Sequence, residues 1–264
     1  MSTNGMALRA RAVQFSYVDR TTRDNLVAIE RIDLEIPEGQ FVSIVGPSGC
    51  GKSTFLKIVN GLLPDYQGEI DVLQPKAEGS AHAMVFQDAA LFPWFSILAN
   101  VAYGLRCRGV PSKVANERAM PFIRMVGLEG FESKYPYQLS GGMQQRANLA
   151  RALTVDPEIL LMDEPFAALD AQTRELMQAE LLRIWAEAKK TVLFITHQID
   201  EAIYLSDRVL VMSARPGRIL ADIPIDLPRP RELRIKRTPE FTALADRIWE
   251  LIAPQLRSDV RAAD

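Results

Sequence analysis

"GPSGCGKST", residues 46–54, directly follows the apolar run "FVSIV" at 41–45. The spacing of its glycines, lysine and serine fits the template of a phosphate-binding loop, in which backbone amides surround the phosphates of a nucleotide. In that template Lys52 reaches the β- and γ-phosphates and the Ser53 hydroxyl binds Mg²⁺. The alternative is a glycine-rich strand-to-helix turn that holds no ligand. The residues that we expect around the phosphates are Gly46, Pro47, Ser48, Gly49, Cys50, Gly51, Lys52, Ser53 and Thr54.

Length and charge limit the class of protein. A chain of 264 residues can form one large α/β domain with appendages. Its hydrophobic content of 48% and charged content of 24% are ordinary for a folded globular protein. The net charge of −2 provides no strong field that would attract a polyanion such as DNA. Composition therefore disfavours a nucleic-acid partner without excluding a local basic patch.

Cysteine usage and the distribution of apolar residues bear on location. Cys50 lies in the predicted loop and Cys107 in a stretch with helical periodicity, so we expect no disulfide and a reducing, cytosolic setting. No apolar run reaches the roughly 18 residues that cross a bilayer. The N-terminal "MSTNGMALRARAV" lacks the apolar core of a secretory signal. We therefore expect the chain to reach a membrane only through a partner.

Short apolar runs alternate with segments of helical periodicity. Near-continuous apolar strands are typical of a mainly parallel sheet with both faces buried, so the predicted core is α/β. Upstream of the loop, "RAVQFSYV" and "IERIDLEIPEG" alternate apolar and polar residues, which predicts an antiparallel N-terminal sheet. The strand candidates are "FVSIV" at 41–45, "AMVF" at 83–86, "EILLM" at 158–162, "TVLFI" at 191–195 and "RVLVM" at 208–212.

The pattern changes between about 89 and 150. Strand signals vanish there, and "SILANVAYGLRCRG" has apolar residues at helical spacing, which predicts an inserted helical subdomain. We predict a main domain over 8–225 and a C-terminal tail over 226–264. The tail contains "EFTALADRIWELI", an amphipathic helix whose apolar face we expect to pack back on the domain. That face comprises Phe241, Leu244, Ile248 and Leu251.

The stretch "ILLMDEP" places two acids behind an apolar strand. Asp163 can support Mg²⁺ through water, as a second strand does in nucleotide-hydrolysing proteins with a phosphate loop. Glu164 is one residue further on and can orient or deprotonate a water that attacks the γ-phosphate. The alternative is a solvated turn, but the phosphate loop upstream favours the catalytic interpretation.

Gln87 and His197 end two further strand candidates, "AMVFQ" and "FITHQ". The amide oxygen of a glutamine can contact both Mg²⁺ and water. A lone histidine at a strand end is more often structural than catalytic. Taken singly, neither residue establishes a role in hydrolysis.

A second anion site is predicted in "LSGGMQQRANLARAL" at 139–153. Ser140, Gly141 and Gly142 precede a segment with helical periodicity, so helix amides, the helix dipole and a hydroxyl group come together there. The alternative is a serine N-cap followed by two loop glycines. If both anion sites exist, one chain carries two phosphate-binding ends.

Six motifs occur in the order and approximate spacing of the ATP-binding subunits of ATP-binding cassette (ABC) transporters, and residues 8 to 220 resemble that family. The resemblance implies the ABC ATPase fold, with a P-loop core, an N-terminal antiparallel sheet and a helical subdomain, and it implies ATP hydrolysis with Mg²⁺. Met143 stands where many members have glutamine, which leaves the neighbouring serine and glycines intact. The motifs are "GPSGCGKST", "FQ" at 86–87, "LSGGMQQR", "ILLMDEP", "ALD" at 168–170 and "TH" at 196–197.

The resemblance also implies roles for single residues. Glu164 is then the catalytic base, His197 holds the γ-phosphate and this base in register, and Tyr17 stacks on the adenine. The phosphates and Mg²⁺ are held by Lys52, Ser53 and Thr54. The metal contacts fall to Ser53, Gln87 and, through water, Asp163. The residues that act in hydrolysis are Lys52, Gln87, Glu164 and His197.

In the family, two copies pack head to tail, and the Ser140 end of one copy closes on ATP held by the Lys52 of the other. Asp170 matches the loop that crosses this interface. The resemblance therefore implies a second copy of the chain, membrane permease subunits and, indirectly, a periplasmic or surface solute-binding protein as partners. It places the chain peripherally on the cytoplasmic face of the inner membrane.

The stretches "FQDAALFPWFSILANVAYGL" and "VLVMSARPGRI" are most similar to importers of the nitrate, sulfonate and taurine group. The implied solute is a small anion, with a pyrimidine-like solute as the alternative. The segment "LFPWF" at 91–95 is expected to leave aromatic surface exposed for a helix of the membrane subunit. The alternative is that its aromatics only pin the helical insertion to the core.

Two other classes of protein compete with the importer. The first consists of ABC ATPases that act on nucleic acid or ribosomes, which add long coiled coils or a second cassette. One set of motifs, no heptad run and near-neutral charge disfavour them here. The second is a small-molecule kinase with a phosphate loop, which does not account for "LSGGMQQR".

Overall fold

The computed structural model of the chain forms two compact units. The first comprises Met1–Leu73 and Thr191–Asp264, and the second comprises Gln74–Lys190. The domain boundaries inferred from the sequence stay predictions. The residues that the structure describes are 5–18, 25–75, 79–167 and 169–261.

From residue 157 to residue 212, strands and helices alternate along the chain. The strands are β1 (Met6–Val18), β2 (Asn25–Pro37), β3 (Phe41–Val45), β4 (Gln67–Val72), β5 (Ser80–Val85), β6 (Pro157–Asp163), β7 (Thr191–Ile195), β8 (Arg208–Met212) and β9 (Gly217–Pro224). The α-helices are α1 (Lys52–Val59), α2 (Ile97–Val101), α3 (Tyr103–Cys107), α4 (Ser112–Met125), α5 (Gly141–Thr154), α6 (Ala171–Ala188), α7 (Ile199–Leu205) and α8 (Pro239–Arg261). The 3₁₀ helices are Pro136–Gln138 and Leu233–Arg237.

In the first unit, the sheet runs in the order β4-β1-β2-β9-β8-β3-β7. β3 pairs in parallel with β7 and β8, and both β3 and β7 are buried at every residue. Continuous burial explains their apolar sequences, because strands in a parallel sheet are covered on both faces. β1 pairs antiparallel with β2 and with β4. The carboxyl ends of β3 and β7 meet at one edge of this sheet.

Helix α8 belongs to the same unit and packs against α7 and β8. Phe241, Ile248 and Ile252 are buried, whereas Leu244 and Leu251 are half-buried. The apolar face of this helix therefore packs on its own unit, as its periodicity indicates.

In the second unit, β5 and β6 pair in parallel, and helices fill the chain between them. Helix α5 packs against α2, α3 and α4 and against both strands. Its buried residues include Ala147, Leu149 and Leu153. This central position lets polar side chains of α5 reach the loops that follow β5 and β6.

The structure confirms the predicted fold class, an α/β protein with mostly parallel strands, an antiparallel N-terminal sheet and a helical stretch between β5 and β6. β4 and β9 were not predicted. In the part of the chain that the structure describes, no helix is both long and apolar enough to span a membrane.

Candidate functional site

The phosphate loop leads from β3 to α1 in the first unit. Gly51 ends it with φ of +105°, and a Cβ at this position would lie 2.9 Å from the carbonyl oxygen of Ala28. Glycine satisfies both the left-handed backbone and this close approach. Helix α1 then begins at Lys52 without a side-chain cap from Gly51. The amides of a first helical turn have no partners within the helix, and helix N-termini bind anions for this reason.

Lys52 folds back over the loop. Its side chain is only 5% exposed, and its ammonium donates to the carbonyl oxygens of Gly46 at 2.9 Å and Pro47 at 2.7 Å. The Cys50 Sγ lies 3.7 Å away, and burial raises the pKa of this thiol against the opposing effect of the Lys52 charge. The loop therefore holds a positive charge in place beside a neutral thiol.

Tyr17 of β1 is hydrogen-bonded to the first turn of α1. Its hydroxyl shares a hydrogen bond with Thr54 Oγ1 at 3.1 Å, and its ring meets Phe15 edge-on with centroids 4.9 Å apart. The residue is 41% exposed. A fixed ring with an accessible surface suits stacking on a base, so the structure is compatible with the predicted adenine contact.

His197 follows β7 at the same sheet edge as the loop. Ile44 of β3 pairs with Ile195 of β7, and the amide of Thr196 donates to the Ile44 carbonyl at 3.2 Å. His197 itself is exposed. The first unit thus brings the phosphate loop and His197 to one edge.

Asp163 ends β6 in the second unit, and Glu164 follows it directly. Glu164 has φ of +44°, a left-handed conformation that costs a residue other than glycine about 1–2 kcal/mol. Its carbonyl oxygen accepts from the Ala167 amide at 3.1 Å. Other residues of the chain share a positive φ, among them Ala90 and Asp156, so this conformation does not by itself mark a functional position. Here it turns the chain directly after the strand.

Gln145 of α5 binds the backbone segments that follow β5 and β6. Its Nε2 donates to the carbonyl oxygens of Phe86, Gln87 and Pro165 at 3.3, 2.9 and 2.6 Å. The exposed side chain of Gln87 therefore projects from a backbone that is tied to the residue after Glu164. Sequence reasoning missed Gln145, and the available signal was an amide among buried residues of a helix.

The same face of α5 continues with Asn148 and Arg151. Asn148 donates to Gln145 Oε1 at 3.2 Å, and Arg151 donates to Asn148 Oδ1 at 2.8 Å. Arg151 also donates to the carbonyl oxygens of Ala90 and Ala89 at 2.8 and 3.2 Å. Burial lowers the pKa of the Arg151 guanidinium. We call Gln145, Asn148 and Arg151 the α5 network.

Ser140 is the N-cap of α5, as the alternative interpretation of this motif predicts. Its Oγ accepts from the Met143 amide at 3.3 Å. A Cβ on Gly142 would lie 3.1 Å from Thr173 Cγ2, whereas a Cβ on Gly141 would meet no described atom within 4 Å. Packing within the described residues therefore does not require glycine at 141. The role of Ser140, Gly141 and Gly142 at a phosphate stays a prediction.

Asp170 caps α6 through a hydrogen bond of 3.0 Å from the Thr173 amide to Oδ1. This hydrogen bond holds the pKa of the exposed Asp170 carboxyl below its usual range. Of the predicted "ALD" motif at 168–170, Ala168 lies outside the described residues.

Aromatic side chains cluster in the segment after Gln87. Phe92 contacts Tyr103, Phe95 and Trp94, with ring centroids 4.6, 5.5 and 5.7 Å apart. The buried Asn100 donates to the Phe92, Phe95 and Ser96 carbonyl oxygens at 3.1 Å each. Trp94 is 68% exposed. A rigid segment thus presents Trp94 to solvent.

The residues predicted to hold Mg²⁺ carry oxygen donors. Ser53 lies in the first turn of α1, Gln87 follows β5, and Asp163 ends β6. They offer hydroxyl, amide and carboxylate oxygens, which are the hard ligands that Mg²⁺ prefers. The donor set fits the metal, and the assignment stays a prediction.

Comparison with known proteins identifies the family. The model of the ABC transporter family matches residues 29–167. An uncharacterised ABC transporter ATP-binding protein of Methanocaldococcus jannaschii is 51% identical over 238 residues, 89% of this chain and 87% of the relative. A taurine import ATP-binding protein of Rhizobium johnstonii is 45% identical over 243 residues, 89% and 92% of the two chains. For an aliphatic sulfonates import ATP-binding protein of Bacillus cereus, the identity is 45% over 217 residues, 81% and 85% of the two chains.

A solved structure supports the same conclusion. A dimeric ATP-binding cassette in a post-hydrolysis state, bound to ADP and Pi, has a TM-score of 0.70 and 31% identity, covering 83% of this chain and 99% of that chain. The chain belongs to the family of ABC transporter ATP-binding proteins.

Proposed function

We propose that this chain hydrolyses ATP to ADP and phosphate and thereby drives the import of a small anionic solute. The observation that carries the ATPase proposal is the buried Lys52 ammonium, held inside a glycine loop by two carbonyl oxygens. A preorganised cation and the N-terminus of helix α1 stabilise the charge that develops on the phosphates without reorganisation during reaction.

The remaining steps fall to residues at the strand ends. Glu164 orients and deprotonates the attacking water, and His197 holds the γ-phosphate in register with that base. Tyr17 positions the adenine by stacking. Ser53, Gln87 and, through water, Asp163 would hold a Mg²⁺ ion, and that ion would supply neutralisation of phosphate charge. The position of Glu164 directly after β6 and next to Asp163 supports the catalytic assignment.

The competent state is a dimer of two copies. Solved cassettes with this fold are described as dimeric, one of them with ADP and Pi bound. In the proposed head-to-tail dimer, Ser140, Gly141 and Gly142 of one copy close on the nucleotide of the other, and Asp170 lies at the interface. The open approach to Gly141 supports this arrangement.

The solute class follows from the relatives named for taurine and aliphatic sulfonate import. We propose a taurine, sulfonate or nitrate-like anion, delivered by a solute-binding protein to permease subunits. The chain would then act peripherally at the cytoplasmic face of the inner membrane.

One experiment tests import against the alternative, a soluble ABC ATPase that acts on nucleic acid or ribosomes. The chain is co-expressed with its genomic neighbour membrane subunits and purified by a tag on the chain. Import predicts co-purification of the permease and uptake of labelled taurine, alkanesulfonate or nitrate that Glu164→Gln abolishes. ATPase activity stimulated by nucleic acid or ribosomes, without co-purification of a permease, would contradict it.

A further inference from the structure

The turn between β8 and β9 packs against the phosphate loop. Arg215 of this turn donates from Nε and Nη2 to the carbonyl oxygen of Gly49, at 3.2 and 3.1 Å. Where the turn ends, a Cβ on Gly217 would overlap the carbonyl oxygen of Cys50. Glycine at 217 therefore permits the close approach, and two consecutive carbonyl groups of the loop face the turn.

This contact orients a peptide group of the loop. The peptide bond between Gly49 and Cys50 is planar and trans, so its carbonyl and its N–H point in opposite directions. Because Arg215 holds the carbonyl, the Cys50 N–H points away from the guanidinium. That amide is in the middle of the phosphate-loop template, whose N–H groups surround the α- and β-phosphates. Two donors of one planar guanidinium converge on this single oxygen, which constrains its position more than one donor does.

Helix α8 supports the same turn. The amide of Ala214 donates to Gln255 Oε1 of α8 at 3.3 Å. Within the turn, Ser213 Oγ donates to the Pro216 carbonyl and accepts from the Arg218 amide, at 3.0 Å each. The hydrogen bonds thus connect α8 to the turn, and the turn to the phosphate loop.

We propose that Arg215 is a positioning residue for the phosphate loop, and that Gln255 of α8 supports it by holding the turn. The proposal rests on the ATP binding proposed above and gives the C-terminal helix a part in nucleotide affinity. Arg215 acts through the Gly49–Cys50 peptide and does not touch the γ-phosphate. Its effect therefore extends equally to ADP and ATP, which share the β-phosphate.

The test measures dissociation constants of MgADP and MgATP for the full-length chain, together with its thermal unfolding temperature. Arg215→Ala should weaken both nucleotides by the same factor, about five- to tenfold, which corresponds to the net contribution of roughly one ordinary hydrogen bond. Arg218→Ala is the matched control, because Arg218 is also exposed but lies 3.9 Å from Glu30. It should bind like the wild type, and the unfolding temperature should change little in either variant.

Two further measurements distinguish positioning of the phosphate loop by Arg215 from long-range attraction between the Arg215 charge and the nucleotide. The factor lost in Arg215→Ala should be independent of salt, whereas screening would diminish a long-range attraction. Gln255→Ala should weaken both nucleotides in the same direction by a smaller factor. The double variant should lose less than the product of the two factors, because both residues act on one turn.

Wild-type affinity in Arg215→Ala would overturn the proposal. A loss confined to MgATP would also overturn it, because it would mean that the guanidinium contacts the γ-phosphate. Unchanged affinity in Gln255→Ala would remove α8 from the proposal. A wild-type chain that binds no better than Lys52→Ala would instead contradict the ATP-binding function itself.

Discussion

At the scale of single residues, the position of Lys52 indicates what its side chain contributes. The ammonium stays inside the loop because backbone carbonyls hold it there. We expect Lys52→Ala to reduce turnover by about 10²-fold or more, since a preorganised charge at the phosphates is lost. Nucleotide binding should weaken as well. Lys57→Ala, at the other end of α1, is the control and should retain turnover.

Glu164 should behave differently. We expect Glu164→Gln to bind ATP with near wild-type affinity but to hydrolyse it about 10²–10⁴-fold more slowly, because the amide does not accept a proton from water. Binding and turnover are measured separately, with Glu158→Gln, at the other end of β6, as the control. Near wild-type turnover in Glu164→Gln would mean that the base lies elsewhere.

The residues of the site differ in how far sequence could predict them. Lys52 and Gly51 follow from spacing, because a phosphate loop is a local structure whose requirements fall within a few residues. The left-handed backbone conformation of Glu164 cannot be predicted from the local amino-acid sequence. Gln145 was missed because its acceptors lie up to 59 residues away along the chain.

At the scale of elements, α5 joins the loops that follow β5 and β6. We expect Gln145→Leu to lower kcat about tenfold or more at nearly unchanged KM. A shift of about 1 Å in the backbone that carries Gln87 and Glu164 is enough for such a loss. Gln144→Leu is the matched control on the same helix, since Gln144 donates to the Pro136 and Leu139 carbonyls instead. Both variants should be compared after their folded fractions have been measured.

Equal losses of kcat in the two variants would contradict a specific role for the α5 network. A rise in KM without a change in kcat would place Gln145 in binding. Buried carbonyls left without a partner cost about 1–3 kcal/mol each, so some loss of stability is expected for Gln145→Leu in any case.

The elements that sequence did not predict are those specified by distant partners. β4, "QGEIDV", is mostly polar and partly exposed, and it is a strand because it pairs with β1. The Pro- and Arg-rich segment after β9 is held by Arg231, which donates to carbonyl oxygens of Ile203, Tyr204 and Ser206 near the end of α7. Burial lowers the pKa of Arg231 to about 10. No local sequence pattern indicates contacts between residues so far apart along the chain.

At the scale of the whole molecule, hydrolysis is expected to require two copies, because the phosphate loop and the Ser140 end of one copy serve different nucleotides in the proposed dimer. ATPase activity per chain should therefore rise with protein concentration, because mass action shifts the equilibrium from monomer to dimer. Turnover is measured over a dilution series alongside the molar mass in solution. A concentration-independent rate from a demonstrated monomer would contradict the proposal.

The proposed transport requires that closure around ATP reach the membrane subunits, and the segment that contains Trp94 is suited to transmit it. Asn100 fixes this segment, Arg151 of the α5 network lies over the Phe92 ring at 5.9 Å, and Gln145 of the same network holds the backbone of Gln87. A partner helix docked on Trp94 would therefore sense the position of Gln87.

We accordingly expect Trp94→Asp to leave the isolated chain folded and able to hydrolyse ATP, because the residue is exposed and its removal uncovers little of the core. Co-purification with the permease should fall and solute uptake should stop, since exposed aromatics carry much of the binding energy of interfaces. Trp249→Asp is the matched control, because this tryptophan is 53% exposed on α8 and should keep assembly and uptake. Unfolding of Trp94→Asp would favour a packing role for the aromatic segment. Normal assembly and uptake in that variant would remove Trp94 from the coupling surface.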